Sequence, residues 1–78
     1  MATKKPRRRN RLRVLRADRE LTQFDLARKS GIHVTRLSFI ERDLVEATDG
    51  ERGQLARALK TTVDDVFPPL PEPEAIAS

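Results

Sequence analysis

Eight cationic side chains crowd the first sixteen positions: Lys4, Lys5, Arg7, Arg8, Arg9, Arg11, Arg13 and Arg16, with no acid between them. Such a block can neutralise a polyanion. Its like charges repel one another, which keeps the segment extended and available as a contact arm. A phosphate backbone suits it, because each neutralised phosphate releases condensed counterions. The plain alternative is a solubilising tail. A polybasic membrane anchor is disfavoured, since no amphipathic aromatic face or lipidation signal accompanies the charge. Past residue 16 the balance reverses, with 8 basic and 12 acidic side chains and a net −4. Covalent and metal chemistry have little to work with. His33 is the only histidine and cysteine is absent, which removes multi-histidine sites, thiolate metal sites and disulfides, and suits a reducing cytoplasm. No nucleophile–base pair is visible. Neither an enzyme nor a cofactor is expected.

These side chains must be carried by one small domain. At 78 residues the chain buries only about 60% of its unfolded surface on folding. No apolar run exceeds three residues, so no membrane span or signal-peptide core is present. Residues 1–9 lack hydrophobic periodicity and read as a flexible basic arm. Residues 68–78 hold four of the five prolines and read as an extended, acidic Pro-rich tail. Between them, residues 10–67 carry helical spacing throughout, with no alternating stretch long enough for a strand. Thr22-Gln-Phe-Asp25, Thr48-Asp-Gly-Glu51 and Thr62-Val-Asp-Asp65 each set a threonine three residues ahead of an acid. The threonine oxygen can accept from the exposed amides of a first turn while the acid reaches back. These signatures predict helices near 22–30, 48–59 and 62–67. Asn10 can cap a helix ending near Asp18, and Ile32, Leu37 and Ile40 mark another over about 33–41. The fold class is therefore all-α, with five short helices.

Within this frame, Gln23 to Arg42 has the pattern of a helix-turn-helix. Ala27 is small enough for two helices to cross closely. Gly31 follows four residues later, where the connection needs a left-handed backbone. Ile32, Leu37 and Ile40 then bury the second helix. The competing reading is a helical hairpin with no role on DNA. On a helix over 33–41, Leu37 and Ile40 face the core and Val34, Thr35, Ser38 and Phe39 face out, flanked by Arg36 and Arg42. That outward face lacks Gln and Asn, so it suits thymine methyls and shape more than hydrogen-bond readout, and Arg36 alone could fork onto guanine. Phe39 could equally be a partly buried packing residue, and Phe24 could cover the edge of the core. His33 reads as a cap or a phosphate contact rather than a metal ligand. Val63, Val66 and Phe67 should close the core.

Leu12, Leu15, Arg16, Leu21-Thr-Gln23, Leu26-Ala27, Gly31-Ile32, Leu37, Ile40-Glu41-Arg42, Leu55-Ala56, Leu59 and Val66-Phe67 together resemble the lambda-repressor-like, Cro-type (Xre) family of helix-turn-helix regulators. The resemblance runs without gaps over about residues 11–67. It implies a five-helix domain whose third helix enters the major groove, usually as a homodimer on a near-palindromic site. It also implies base-reading roles for Val34, Thr35, Ser38 and Phe39, phosphate contacts from Gln23 and Arg42, and an ion pair between Arg16 and Glu41. The arm residues Arg7, Arg8, Arg9 and Arg11 would add flanking phosphate contacts. Three departures stand out. Asp43 replaces the usual glycine after the recognition helix. Gly50 and Gly53 interrupt the fourth helix, at about 1 kcal/mol each against alanine, and leave its first turn prone to fraying. No sensory domain follows Phe67, so no small-molecule effector is expected.

The resulting expectation is a cytoplasmic, non-enzymatic, sequence-specific regulator of transcription bound to double-stranded DNA. An autoregulating repressor acting as a homodimer comes first. A controller protein of a restriction–modification operon or a DNA-binding antitoxin has the same size and shape, with transcription machinery or a toxin as a further partner. From a different class, the helix pair and acidic tail could form a protein-interaction module, but the basic arm serves DNA better.

Overall fold

The computed structural model describes residues 10–69. The basic arm with Arg7, Arg8 and Arg9, and all of the Pro-rich tail beyond Pro69, lie outside the described residues. The chain order is α1 (Leu12–Asp18), α2 (Gln23–Ser30), α3 (Val34–Glu41), α4 (Asp49–Ala58) and α5 (Val63–Val66). All five helices begin and end within one or two residues of the positions set by the capping signatures and the apolar spacing.

Two of the three threonine signatures close as full capping boxes. Thr22 Oγ1 accepts from the Asp25 amide at 3.0 Å, and Asp25 accepts from the Thr22 amide at 2.9 Å. Thr48 and Glu51 do the same at 3.1 and 2.9 Å. This box covers the glycine-bearing first turn of α4, which is regular helix from Asp49 onward rather than frayed. At Thr62 only half the box forms. The Asp65 amide donates to Thr62 Oγ1 at 3.1 Å, but the Asp65 carboxylate is drawn to Thr61 Oγ1 at 2.6 Å and to Arg11 Nη1 at 2.8 Å. Asn10 sits one residue ahead of the formal N-cap, Arg11, and its Oδ1 accepts from the Leu12 amide at 3.0 Å.

Three helices end in the same way. After α1, α3 and α4 the chain turns left-handed at Glu20, Asp43 and Lys60, with φ of 55°, 60° and 58°. In each case the following amide reaches back to a carbonyl of the last helical turn: Leu21 to Arg16, Leu44 to Phe39 and Thr61 to Ala56, all at 2.9 Å. These are Schellman turns built without glycine. Aliphatic side chains from every helix meet in one core. Leu12, Leu26, Leu37, Ile40, Leu55, Leu59 and Val66 are its fully buried large members. α4 packs against both α2 and α5, and α2 packs against α3. Phe67 closes the base, with the Arg52 guanidinium 5.9 Å above its ring. No helix among the described residues is long and apolar enough to cross a membrane.

Candidate nucleic-acid interface

Helix α2 stops because Gly31 adopts φ 81°. A Cβ there would meet nothing closer than Gln54 Nε2 at 4.0 Å, so the backbone angle, not crowding, demands glycine. The turn needs one more polar partner, and buried Ser30 supplies it by accepting from the Ile32 amide at 3.2 Å. Helix α3 then starts at Val34 with His33 as its cap: ring Nδ1 accepts from the Thr35 amide at 3.0 Å. His33 is therefore a helix cap. Among the described residues no group of three or more His, Cys, Asp or Glu could hold a metal ion.

The far end of α3 is held by a buried carboxylate. Only 1% of the Glu41 side chain is exposed, against 18% for Arg16. Arg16 donates through Nε at 2.8 Å and Nη2 at 3.2 Å, and its Nη1 donates to the Leu21 carbonyl at 3.0 Å. Gln23 Nε2 adds a third donor to Glu41 at 3.0 Å. One charge thus joins α1, the start of α2 and the end of α3. Asn10 reinforces the junction, with Nδ2 donating to the Ile40 carbonyl at 2.6 Å. The middle of α3 is tied to α4 by Arg36, which donates through Nε and Nη2 to the two Glu51 oxygens, both at 2.9 Å. That bond to Arg36, with help from the Thr48 amide and against the effect of burial, holds the Glu51 carboxyl below the usual carboxylate range.

What remains on the outside of α3 is Val34, Thr35, Ser38 and Phe39. Thr35 and Phe39 are exposed, Phe39 by 40%, while Val34 and Ser38 are half-buried. Arg42 is exposed at the C-cap. Phe24 does not cover the core: it is 69% exposed and lines a shallow groove with Ala27, His33 and Val34. A helix-turn-helix family model matches residues 12–66. The chain belongs to this family, in its lambda-repressor-like (Xre) branch. No curated protein matches it. As a helix-turn-helix protein it is a DNA-binding transcriptional regulator in the general sense, and α3 occupies the place of the recognition helix.

The structure divides the proposed contact residues into two groups. Val34, Thr35, Ser38, Phe39, His33 and Arg42 share the α3 surface and its two ends. Arg11, Gln23 and Arg36 are bonded to side chains of other helices instead. Arg11 Nη1 donates to the Asp65 carboxylate at 2.8 Å and to the Asp65 carbonyl at 3.0 Å, closing α1 on α5. Gln23 donates to Glu41, and the Arg36 fork is filled by Glu51. Sequence reasoning missed these three destinations, and missed Glu51 as a partner for Arg36. Nothing local marks them, because each partner lies on a different helix. Residues 10–69 carry 11 basic and 10 acidic side chains, and five of those basic side chains are in ion pairs. The helical domain is close to neutral, so most of the excess positive charge belongs to the arm.

Proposed function

We propose that this helix-turn-helix protein is a sequence-specific repressor of its own transcription. It acts in the cytoplasm as a homodimer on a near-palindromic operator and has no enzymatic activity. The observation that carries this reading is the clamping of α3. Its inner face is buried, and its C-terminal end is fixed by the Arg16–Glu41–Gln23 junction. Its outer face, meanwhile, presents two exposed and two half-buried side chains to solvent. A helix held along its inner face and at its C-terminal end presents a fixed surface, and fixed geometry is what discrimination between base edges requires. In this reading Val34 and Phe39 contact thymine methyls, and Thr35 and Ser38 supply short hydroxyl contacts. Arg42 and the main chain at the start of α2 lie against phosphates, with Arg7, Arg8 and Arg9 adding charge from the arm.

Selection of bound sites from a random duplex library, followed by sedimentation of the complex, tests the proposal. Two thymine-containing half-sites in inverted order, bound by two chains, are expected. Recovery of duplexes with no common sequence would refute specific readout, and one chain per selected site would refute the dimer.

A further inference from the structure

Arg36 is the only lysine or arginine within α3. It is therefore the only side chain of that helix whose planar fork matches guanine O6 and N7, or a pair of phosphate oxygens. In this structure Glu51 fills the fork with two parallel bonds of 2.9 Å. We propose that Glu51 withholds Arg36 from DNA, and so sets the specificity of the recognition helix without touching a base itself. The inference rests on α3 being the helix that reads DNA.

Glu51 cannot follow Arg36 outward. Its amide donates to Thr48 Oγ1 at 3.1 Å and its Oε1 accepts from the Thr48 amide at 2.9 Å, so the capping box of α4 fixes the carboxylate from the other side. Its side chain is 19% exposed. Swinging Arg36 onto DNA would leave this anion half-buried and unmatched, close to a polyanion. A guanine edge offers two neutral acceptors in exchange for a pre-placed carboxylate, which adds a full opposite charge to the same two-bond fork. Arg36 Nη2 also approaches the Glu46 carbonyl at 3.4 Å, a further tether on the same side. With Arg36 withheld, the reading surface consists of two apolar side chains and two hydroxyls.

The test compares the unmodified protein with Glu51→Gln, Arg36→Ala and the double variant, by library selection and by a salt series on the selected duplex. Glutamine keeps an oxygen for the Thr48 amide, so α4 stays capped while the charge that holds Arg36 is removed. Glu51→Gln is expected to tighten binding roughly tenfold and, where the freed fork meets a phosphate, to steepen the salt slope by about one. Arg36→Ala alone, which leaves Glu51 unmatched near the phosphates, should weaken every duplex alike without changing the selected sequence, and the double variant should lack the gain. A gain confined to sites with a new guanine identifies the acceptor as a base, and a uniform gain identifies a phosphate. Three results would overturn the proposal: Arg36→Ala changing the selected sequence, Glu51→Gln leaving affinity unchanged, or the double variant keeping the gain. If the unmodified protein selects no duplex at all, the DNA reading falls first and this inference falls with it.

Discussion

A carboxylate that is 99% covered survives only when every oxygen is matched, and Glu41 accepts from Arg16 twice and from Gln23 once. Removing one partner of such a pair typically costs about 3–5 kcal/mol, because the other charge is left stranded. Glu41→Ala should therefore lower the melting temperature by more than about 10 °C in a domain of this size, measured by thermal denaturation. A shift near zero would mean that the pair contributes no more than a solvated one. Glu20 presents the opposite case. It holds φ 55° without the glycine that such a turn favours, and it places a negative charge at the C-terminal end of α1. Left-handed geometry costs an ordinary residue about 1–2 kcal/mol, part of which the greater freedom of unfolded glycine offsets. The helix dipole adds a few tenths more against an acid there. Glu20→Gly should raise stability by about 1 kcal/mol in a denaturant titration, and a fall in stability would show that the turn relies on the side chain.

Helices in this chain are started by side chains and stopped by turns, and the starts titrate. Asp25 lies below the usual carboxylate range because it accepts from the Thr22 amide and hydroxyl, with Arg28 adding a smaller effect. Glu51 is lowered first by Arg36, and Asp65 first by Thr61. A carboxyl lowered in the folded state adds stability that is complete above its unfolded value and is lost as pH falls through the folded one. Stability should therefore be flat from neutral pH to about 5, then decline below about pH 4 as these first turns lose their acceptors. Stability that stays flat down to about pH 3 would contradict this assignment. The starts were readable in the sequence because a capping box lies within four residues: Thr22 with Asp25 and Thr48 with Glu51 needed no tertiary information. Gly31 was readable because its turn requires φ above zero. The Schellman turns at Glu20 and Lys60 were not, since neither residue type advertises a left-handed backbone. The destinations of Arg11, Gln23 and Arg36 were equally hidden. Each depends on how two helices cross, and the apolar spacing that sets the crossing says nothing about which surface charges it brings together. The Arg16–Glu41 pair was reached only through family resemblance.

At the scale of the whole molecule, the excess positive charge and the proposed reading surface are carried by different parts. Residues 10–69 are nearly neutral, while residues 1–9 hold five cations and no acid. Removing residues 1–9 should weaken binding to every duplex and flatten the dependence of log affinity on log salt by several units, at about 0.9 for each phosphate that the arm neutralises. An unchanged slope would make the arm a bystander. The helical domain should keep its sequence preference after that truncation, because the proposed reading surface lies on α3. Equilibrium affinity of the full chain and of Phe39→Ala, each on the selected duplex and on a scrambled duplex of the same composition, tests that assignment most directly. Phe39 projects outward and is 40% exposed, so its removal leaves the core intact. The substitution should cost about 1–3 kcal/mol on the selected site, the range for one good base contact, and almost nothing on the scrambled one. Equal losses on both duplexes, or no loss on either, would contradict the reading of α3 as the surface that recognises sequence.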